Sequence, residues 1–167
     1  MIEFLKIRDV KDPKRNSGDA GIDIFMPEYT DQFINDLKEF NLELIYTKDK
    51  GIFIRAHEDI AIPVGIKSKF DSNLSLVACN KSGICRKTKL ITGAKVIDST
   101  YQGEWIVHLI NTGNTNVWLP FGTKIVQFVP FYIYDKEFNV YDNMTEDQFY
   151  IEKTSRGAGS FGSTGLI

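Results

Sequence analysis

The chain is short of the residue types that staple small folds or hold transition metals, with 2 Cys and 2 His among its 167 residues. Cys79 and Cys85 lack the spaced Cys or His companions that a zinc site requires, and two thiols do not make a disulfide framework. No apolar run is long enough to span a bilayer, and the start at Met1-Ile2-Glu3-Phe4 lacks the pattern of a secretory signal. No membrane partner is therefore expected, and a reducing, cytoplasmic setting fits best. An excess of one charge is missing too. A net charge of -2 gives no global attraction to a nucleic-acid backbone, so nucleic-acid binding is not expected and any phosphate chemistry needs a local cluster of cations.

What is present suits one globular domain, since 43% hydrophobic and 25% charged residues are ordinary for a water-soluble fold and the length supports a single core. From Gly51 to Ile133, short runs of Ile, Val, Phe and Leu are broken at close intervals by Gly, Pro, Asn and Asp. That rhythm predicts many short strands in a sandwich or barrel. Gly51 to Arg55, Trp105 to Ile110 and Lys124 to Tyr134 are the clearest strands, with a turn at Asn111-Thr112-Gly113-Asn114. Asp31 to Phe40 is the one good helix candidate: Phe33, Ile34, Leu37 and Phe40 are read on one face, and Asp31 is placed to cap it. After Tyr134 the composition turns acidic and then glycine-rich. The expected organisation is a β domain over 1–135, carrying an insertion at about 28–50, then a linker over 136–155 and an arm over 156–167.

The arm contains G-x-G-x-x-G from Gly157 to Gly162. A dinucleotide fingerprint has to open a helix within a βαβ unit, and five residues after Gly162 cannot supply one. Two readings remain open: a disordered tail, or an arm that orders over a phosphate-bearing ligand. Glycine N–H groups, Arg156 and the Ser163 and Thr164 hydroxyls suit the second, with Phe161 able to stack on a base. Centrally, Val96 to Glu104 sets Asp98 three residues before Tyr101. Asp98 reads either as a turn-capping residue or as a general base for a water. Lys81-Ser82-Gly83 offers a cation, a hydroxyl and a flexible N–H, as a phosphate site or a plain surface turn would. Gly122 to Gln127 brings Lys124 and Gln127 to the opening of a strand.

In order along the chain, these segments resemble the five motifs of the trimeric dUTPase family. Ala20 to Ile24 resembles the first, Lys81 to Ile84 the second, Ala94 to Glu104 the third, Gly122 to Gln127 the fourth and Arg156 to Gly165 the fifth. The resemblance implies an all-β, jelly-roll-like fold of the β-clip type with one short inserted helix. It further implies a homotrimer with active sites shared between subunits, and Mg2+-assisted hydrolysis of dUTP to dUMP and pyrophosphate. Asp98 would activate the water that attacks the α-phosphorus, and Asp23 would hold a metal-bound water. Lys81, Ser82, Gly83 and Gln127 would bind the phosphate chain, and Tyr101 would pack on the deoxyribose. The hairpin backbone through Thr92, Lys95, Val96 and Ile97 would read the uracil. Arg156, Phe161, Gly162, Ser163 and Thr164 would close over the nucleotide.

The chain departs from the family pattern at Lys81 and Lys124, where Arg is usual, and at Lys89, Lys95 and Ser160, where Gly is usual. Lysine keeps the charge and loses the bidentate fork. The related dCTP deaminases carry a glutamate base on the strand after the third motif, where this chain has His108 in an acid-free run. His108 is expected to be a strand histidine facing a partner subunit. The other alternative is a regulatory protein that acts through a partner docked on the 28–50 insertion.

Overall fold

The structure is a computed structural model that describes residues 1–134, 137–152, 154, 155 and 158. The chain divides into two compact units, 1–134 and 135–167. Twelve short strands build the first: β1 (Glu3–Lys6), β2 (Ile22–Phe25), β3 (Ile45–Thr47), β4 (Gly51–Ile54), β5 (Asp59–Pro63), β6 (Ile66–Lys69), β7 (Leu74–Cys79), β8 (Leu90–Thr92), β9 (Val96–Asp98), β10 (Ile106–Asn111), β11 (Val117–Pro120) and β12 (Lys124–Tyr132). They form four small antiparallel sheets, ordered β1-β6, β5-β10-β8, β11-β4-β3 and β2-β12-β7-β9. This is the all-β architecture that the spacing of apolar runs and turn residues predicts.

Alternation along the strands fills the core. Val107, Leu109 and Asn111 of β10 point inward between half-buried neighbours, as do Ile60 and Ile62 of β5. Trp105 is fully buried against Phe4 and Phe128, and its indole N–H donates to Ser68 Oγ at 3.1 Å. Asn111 is fully buried and is satisfied: its Nδ2 donates to the carbonyls of Ile54, Arg55 and Thr115, and its Oδ1 accepts from Gly113 N–H. A residue read as turn-former thus also pins the turn to the end of β4.

Three helices occur among the described residues, where one was expected. Helix α1 (Asp31–Phe40) has the predicted bounds, with Phe33, Ile34 and Leu37 buried on the domain's own body and Phe40 about half exposed. Thr30 caps it, not Asp31: Thr30 has the extended backbone of a cap and its Oγ1 accepts from Phe33 N–H at 3.0 Å. Asp31 is the first helical residue, where its charge favours the helix N-terminus. Helix α2 (Ser82–Thr88) buries no residue and carries Gly83, so neither an apolar stripe nor propensity announced it. Lys89 ends it in the left-handed region, at φ 61°. That geometry accounts for glycine being usual at this position. In the second unit, α3 (Glu146–Phe149) stands within the stretch expected to be a linker, held by a Thr145–Gln148 capping box.

Two polar clusters tie α1 to the sheets. Asn41, at its C-terminus, donates from Nδ2 to Ala61 O at 2.9 Å and accepts Ala61 N–H on Oδ1 at 2.9 Å. Arg8 donates from Nε and Nη2 to the Glu104 carboxylate at 2.6 and 2.7 Å and also pairs with Asp36 on α1. Gly65 N–H gives Glu104 a third hydrogen bond at 2.7 Å. The three charged side chains are only 15–18% exposed, and both carboxylates hold the Arg8 guanidinium above its ordinary pKa, Glu104 foremost, against the opposing effect of burial.

Candidate functional site

The site is assembled by strand register. On β12, Gln127 lies opposite Asp23 of β2 on one side and opposite Cys79 of β7 on the other. Lys124 begins β12 and is separated from Val126 by a register shift in the pairing with β2. Asn80 and Lys81 follow β7 directly, so the first, second and fourth motif segments meet at one end of this sheet. Lys81 Nζ donates to Asp23 Oδ1 at 2.7 Å, and Lys124 Nζ donates to Oδ2 at 2.8 Å. Asp23 is 14% exposed. Burial pushes its carboxyl pKa up, but hydrogen bonds from Lys124 and Lys81 and their charges outweigh this and hold it below the ordinary carboxylate value. Gln127 Nε2 donates to Asn80 O at 3.2 Å, and Gly21 sits so close that a Cβ there would lie 2.5 Å from Gln127 Oε1. Ser82 and Gly83 are exposed in the first turn of α2.

The third motif segment is built differently from the expected hairpin. β8 pairs with β10 and β9 pairs with β7, so residues 93–95 carry the chain from one sheet to another. Asn80 Oδ1 accepts from Thr92 N–H at 2.7 Å and Thr92 Oγ1 at 3.1 Å, while Ala78 N–H donates to Lys95 O at 2.6 Å. These bonds hold both ends of the crossing to the end of β7. Val96 is exposed, and Ile97 points into the core. Asp98 closes β9 as an exposed residue whose carboxylate contacts no partner among the described residues. Three residues on, Tyr101 is 41% exposed, with its hydroxyl donating to Glu104 O at 2.8 Å.

One chain does not bring all these residues together. Asp98 lies opposite Ser75 and Gln127 opposite Cys79, on the two sides of β7. Four residues of strand and two strand spacings put their Cα atoms about 16 Å apart. His108, expected to face a partner subunit, is engaged within its own chain by Asp59 and the Gly93–Ala94 backbone. Arg156, Phe161, Gly162, Ser163 and Thr164 lie outside the described residues. Sequence reasoning missed Asn80, which joins the second and third motif segments, because nothing marks an asparagine before a lysine as special until β7 is seen to end there.

A family model described as dUTPase matches residues 40–165. The chain belongs to the dUTPase family. It is 32% identical over 127 residues to the deoxyuridine 5'-triphosphate nucleotidohydrolase of Haemophilus ducreyi, covering 74% of this chain and 79% of that protein. The corresponding Pseudomonas fluorescens protein is 31% identical over 127 residues, covering 74% and 80%. Among solved structures, the dUTPase of Staphylococcus bacteriophage 80alpha with dUpNHpp has a TM-score of 0.69 at 18% identity, covering 99% of both chains. The native EIAV dUTPase has a TM-score of 0.63 at 20% identity, covering 87% of this chain and 99% of that one. The dUTPase fold is thereby shared. Both lysines that stand where the family usually has arginine, Lys81 and Lys124, converge on Asp23 in this chain.

Proposed function

We propose that the protein hydrolyses dUTP to dUMP and pyrophosphate, with Asp98 as the general base for the attacking water. The observation that carries this reading is the state of its two candidate carboxylates. Asp23 is committed to two lysines, whereas Asp98 is exposed with no partner among the described residues, as a group that must hold a water requires. Tyr101, fixed by its bond to Glu104 O, offers a ring face to the sugar and would exclude a 2′-hydroxyl. The 93–95 turn would read the uracil edge. Lys81, Ser82 and Gln127 would hold the phosphates, with Arg156, Ser163 and Thr164 closing on the γ-phosphate and Phe161 over the base.

Because Asp98 and Gln127 are too far apart in one chain to act on a single α-phosphorus, the complete site requires more than one copy. A homotrimer with shared sites satisfies this. Among the described residues no group of three His, Cys, Asp or Glu could cage a metal, and both Asp23 oxygens accept from ammonium groups. These donors fit a magnesium ion that arrives on the triphosphate and touches Asp23 through water, in keeping with the reluctance of Mg2+ to dehydrate. The ion would supply neutralisation of the phosphate charge.

A partner-binding role through the insertion has one observation in its favour: Phe40, the last residue of α1, is half exposed, and Leu42 just beyond it is fully exposed. The Phe33, Ile34 and Leu37 face is packed on the body and is unavailable for docking. The deaminase alternative finds no acid on β10.

Pyrophosphate release with magnesium, compared across dUTP, dTTP, dCTP and UTP with ammonia followed in parallel, tests the reading. Release from dUTP alone is expected. Ammonia from dCTP, or no release at all, would sink it. Asp98→Asn should abolish turnover while dUTP binding survives, and full activity in that variant would remove Asp98 from its role.

A further inference from the structure

His108 sits on β10 opposite Ala61 on one flank and, by continuation of the β8 register, opposite Gly93 on the other. Its backbone carbonyl accepts from Gly93 N–H at 3.0 Å, and its ring Nδ1 accepts from Ala94 N–H at 3.3 Å. One residue therefore engages two consecutive amides of the turn. An amide N–H can be received only by an unprotonated ring nitrogen, so the ring proton resides on Nε2, which donates to Asp59 Oδ2 at 2.7 Å. Asp59 thus selects the tautomer that the turn requires. Gly93 gives the ring room: a Cβ there would lie 2.0 Å from Nδ1.

We propose that His108, oriented by Asp59, is a positioning residue that sets the 93–95 turn for recognition of the nucleobase. The inference rests on the assignment of this turn as the base reader. With the Gly93 and Ala94 N–H groups directed at His108 and the Lys95 carbonyl accepting from Ala78, the turn's other polar groups are the Gly93 and Ala94 carbonyls and the Lys95 N–H. The Gly93 carbonyl, which lies trans to the Ala94 N–H in one peptide and so points away from His108, can accept the N3–H that uracil has and cytosine lacks, while the Lys95 N–H can donate to a neighbouring carbonyl oxygen. Loss of the imidazole acceptor frees the Gly93–Ala94 peptide to rotate, which turns the Gly93 carbonyl out of that position. His108 touches no reacting atom, so its removal acts on binding and not on the chemical step.

The test compares His108→Leu, which removes the acceptor, with His108→Gln, whose amide can accept from Ala94 and donate to Asp59. His108→Leu should raise KM for dUTP about tenfold, the equivalent of one lost hydrogen bond, with kcat within about twofold of the native enzyme. His108→Gln should restore KM to within about threefold. The imidazole nitrogen-15 spectrum of the unaltered protein should show Nδ1 unprotonated and Nε2 protonated, a readout that needs no substitution and no turnover. A KM unchanged in His108→Leu, an equal loss in both variants, or a proton on Nδ1 would each overturn the proposal. If the native protein fails to turn over dUTP, the functional reading falls; if it turns over dUTP and His108→Leu is unaffected, only the role of His108 falls.

Discussion

Glu104→Gln probes the buried charge cluster that joins the N-terminal segment, α1 and the start of β10. In the native protein Glu104 Oε1 accepts from Arg8 Nε and Gly65 N–H, and Oε2 accepts from Arg8 Nη2. A glutamine can place its oxygen at the first position and keep two bonds. Its NH2 then faces the Nη2 donor, so one charge-assisted hydrogen bond is lost and two donors confront each other. The Arg8 cation, 15% exposed, keeps only Asp36. Losing the bond and leaving the cation half-compensated should together cost about 3 kcal/mol. For a chain of this size that is a fall in Tm of roughly 6–12 °C. Calorimetry at matched protein concentration is the assay, since subunit association also moves Tm. The loss should persist at high salt, because buried pairs are poorly screened. It should also shrink in an Arg8→Met background, where the unpaired donor is gone. A Tm shift below about 2 °C would refute the reasoning, and so would full additivity of the two changes.

Asp23 makes part of the stability depend on pH. Its carboxyl is held below the ordinary carboxylate value in the folded state, so the native form is favoured above the unfolded value and the gain disappears as pH falls through the depressed value. Acid titrations followed by circular dichroism should show a shallower low-pH loss in Asp23→Asn than in the native protein, and identical acid limbs would contradict the assignment. Leu37→Ala removes a fully buried side chain of α1 and should cost about 2–5 kcal/mol by denaturant titration; a cost under about 1 kcal/mol would mean that the helix does not pack as described. Truncation before Arg156 should lower kcat/KM for dUTP with Tm and sedimentation unchanged, and a truncated enzyme of full activity would exclude a closing arm.

Helix α1 was legible because three large apolar side chains recur at helical spacing. Its cap was misplaced by one residue because Thr30 and Asp31 both offer a side-chain oxygen, and only backbone angles separate them. Helix α2 was illegible for a stronger reason: it buries nothing, so no periodicity was written into Ser82 to Thr88. Residue types mark the segments that the resemblance assigns to the site. Their meeting did not show, since Asp23, Lys81 and Lys124 are brought together only by the pairing of β12 with both β2 and β7. The hairpin over 92–96 that the resemblance implies is not a pair of mutually bonded strands, because β8 pairs with β10 and β9 with β7. The contact of His108 with Ala94 follows from the β10–β8 register, which no local pattern encodes.

The bond pair between Asn41 and Ala61 bears on how the protein behaves when crowded. β5 is the outer strand of its sheet, and Asp59, Ala61 and Pro63 alternate along its outward side. An open row of amides there would invite a strand from another molecule. Asn41 occupies both main-chain groups of Ala61, Pro63 has no donor to offer, and Asp59 sets a charge at the remaining position. Three unrelated residue types thus close one edge, so the segment that carries Asn41 leaves a foreign strand little to pair with there. Exchange of Asn41 for alanine would leave Ala61 open, and its mark would be turbidity at high concentration, beyond the loss of stability in dilute solution that three missing hydrogen bonds bring.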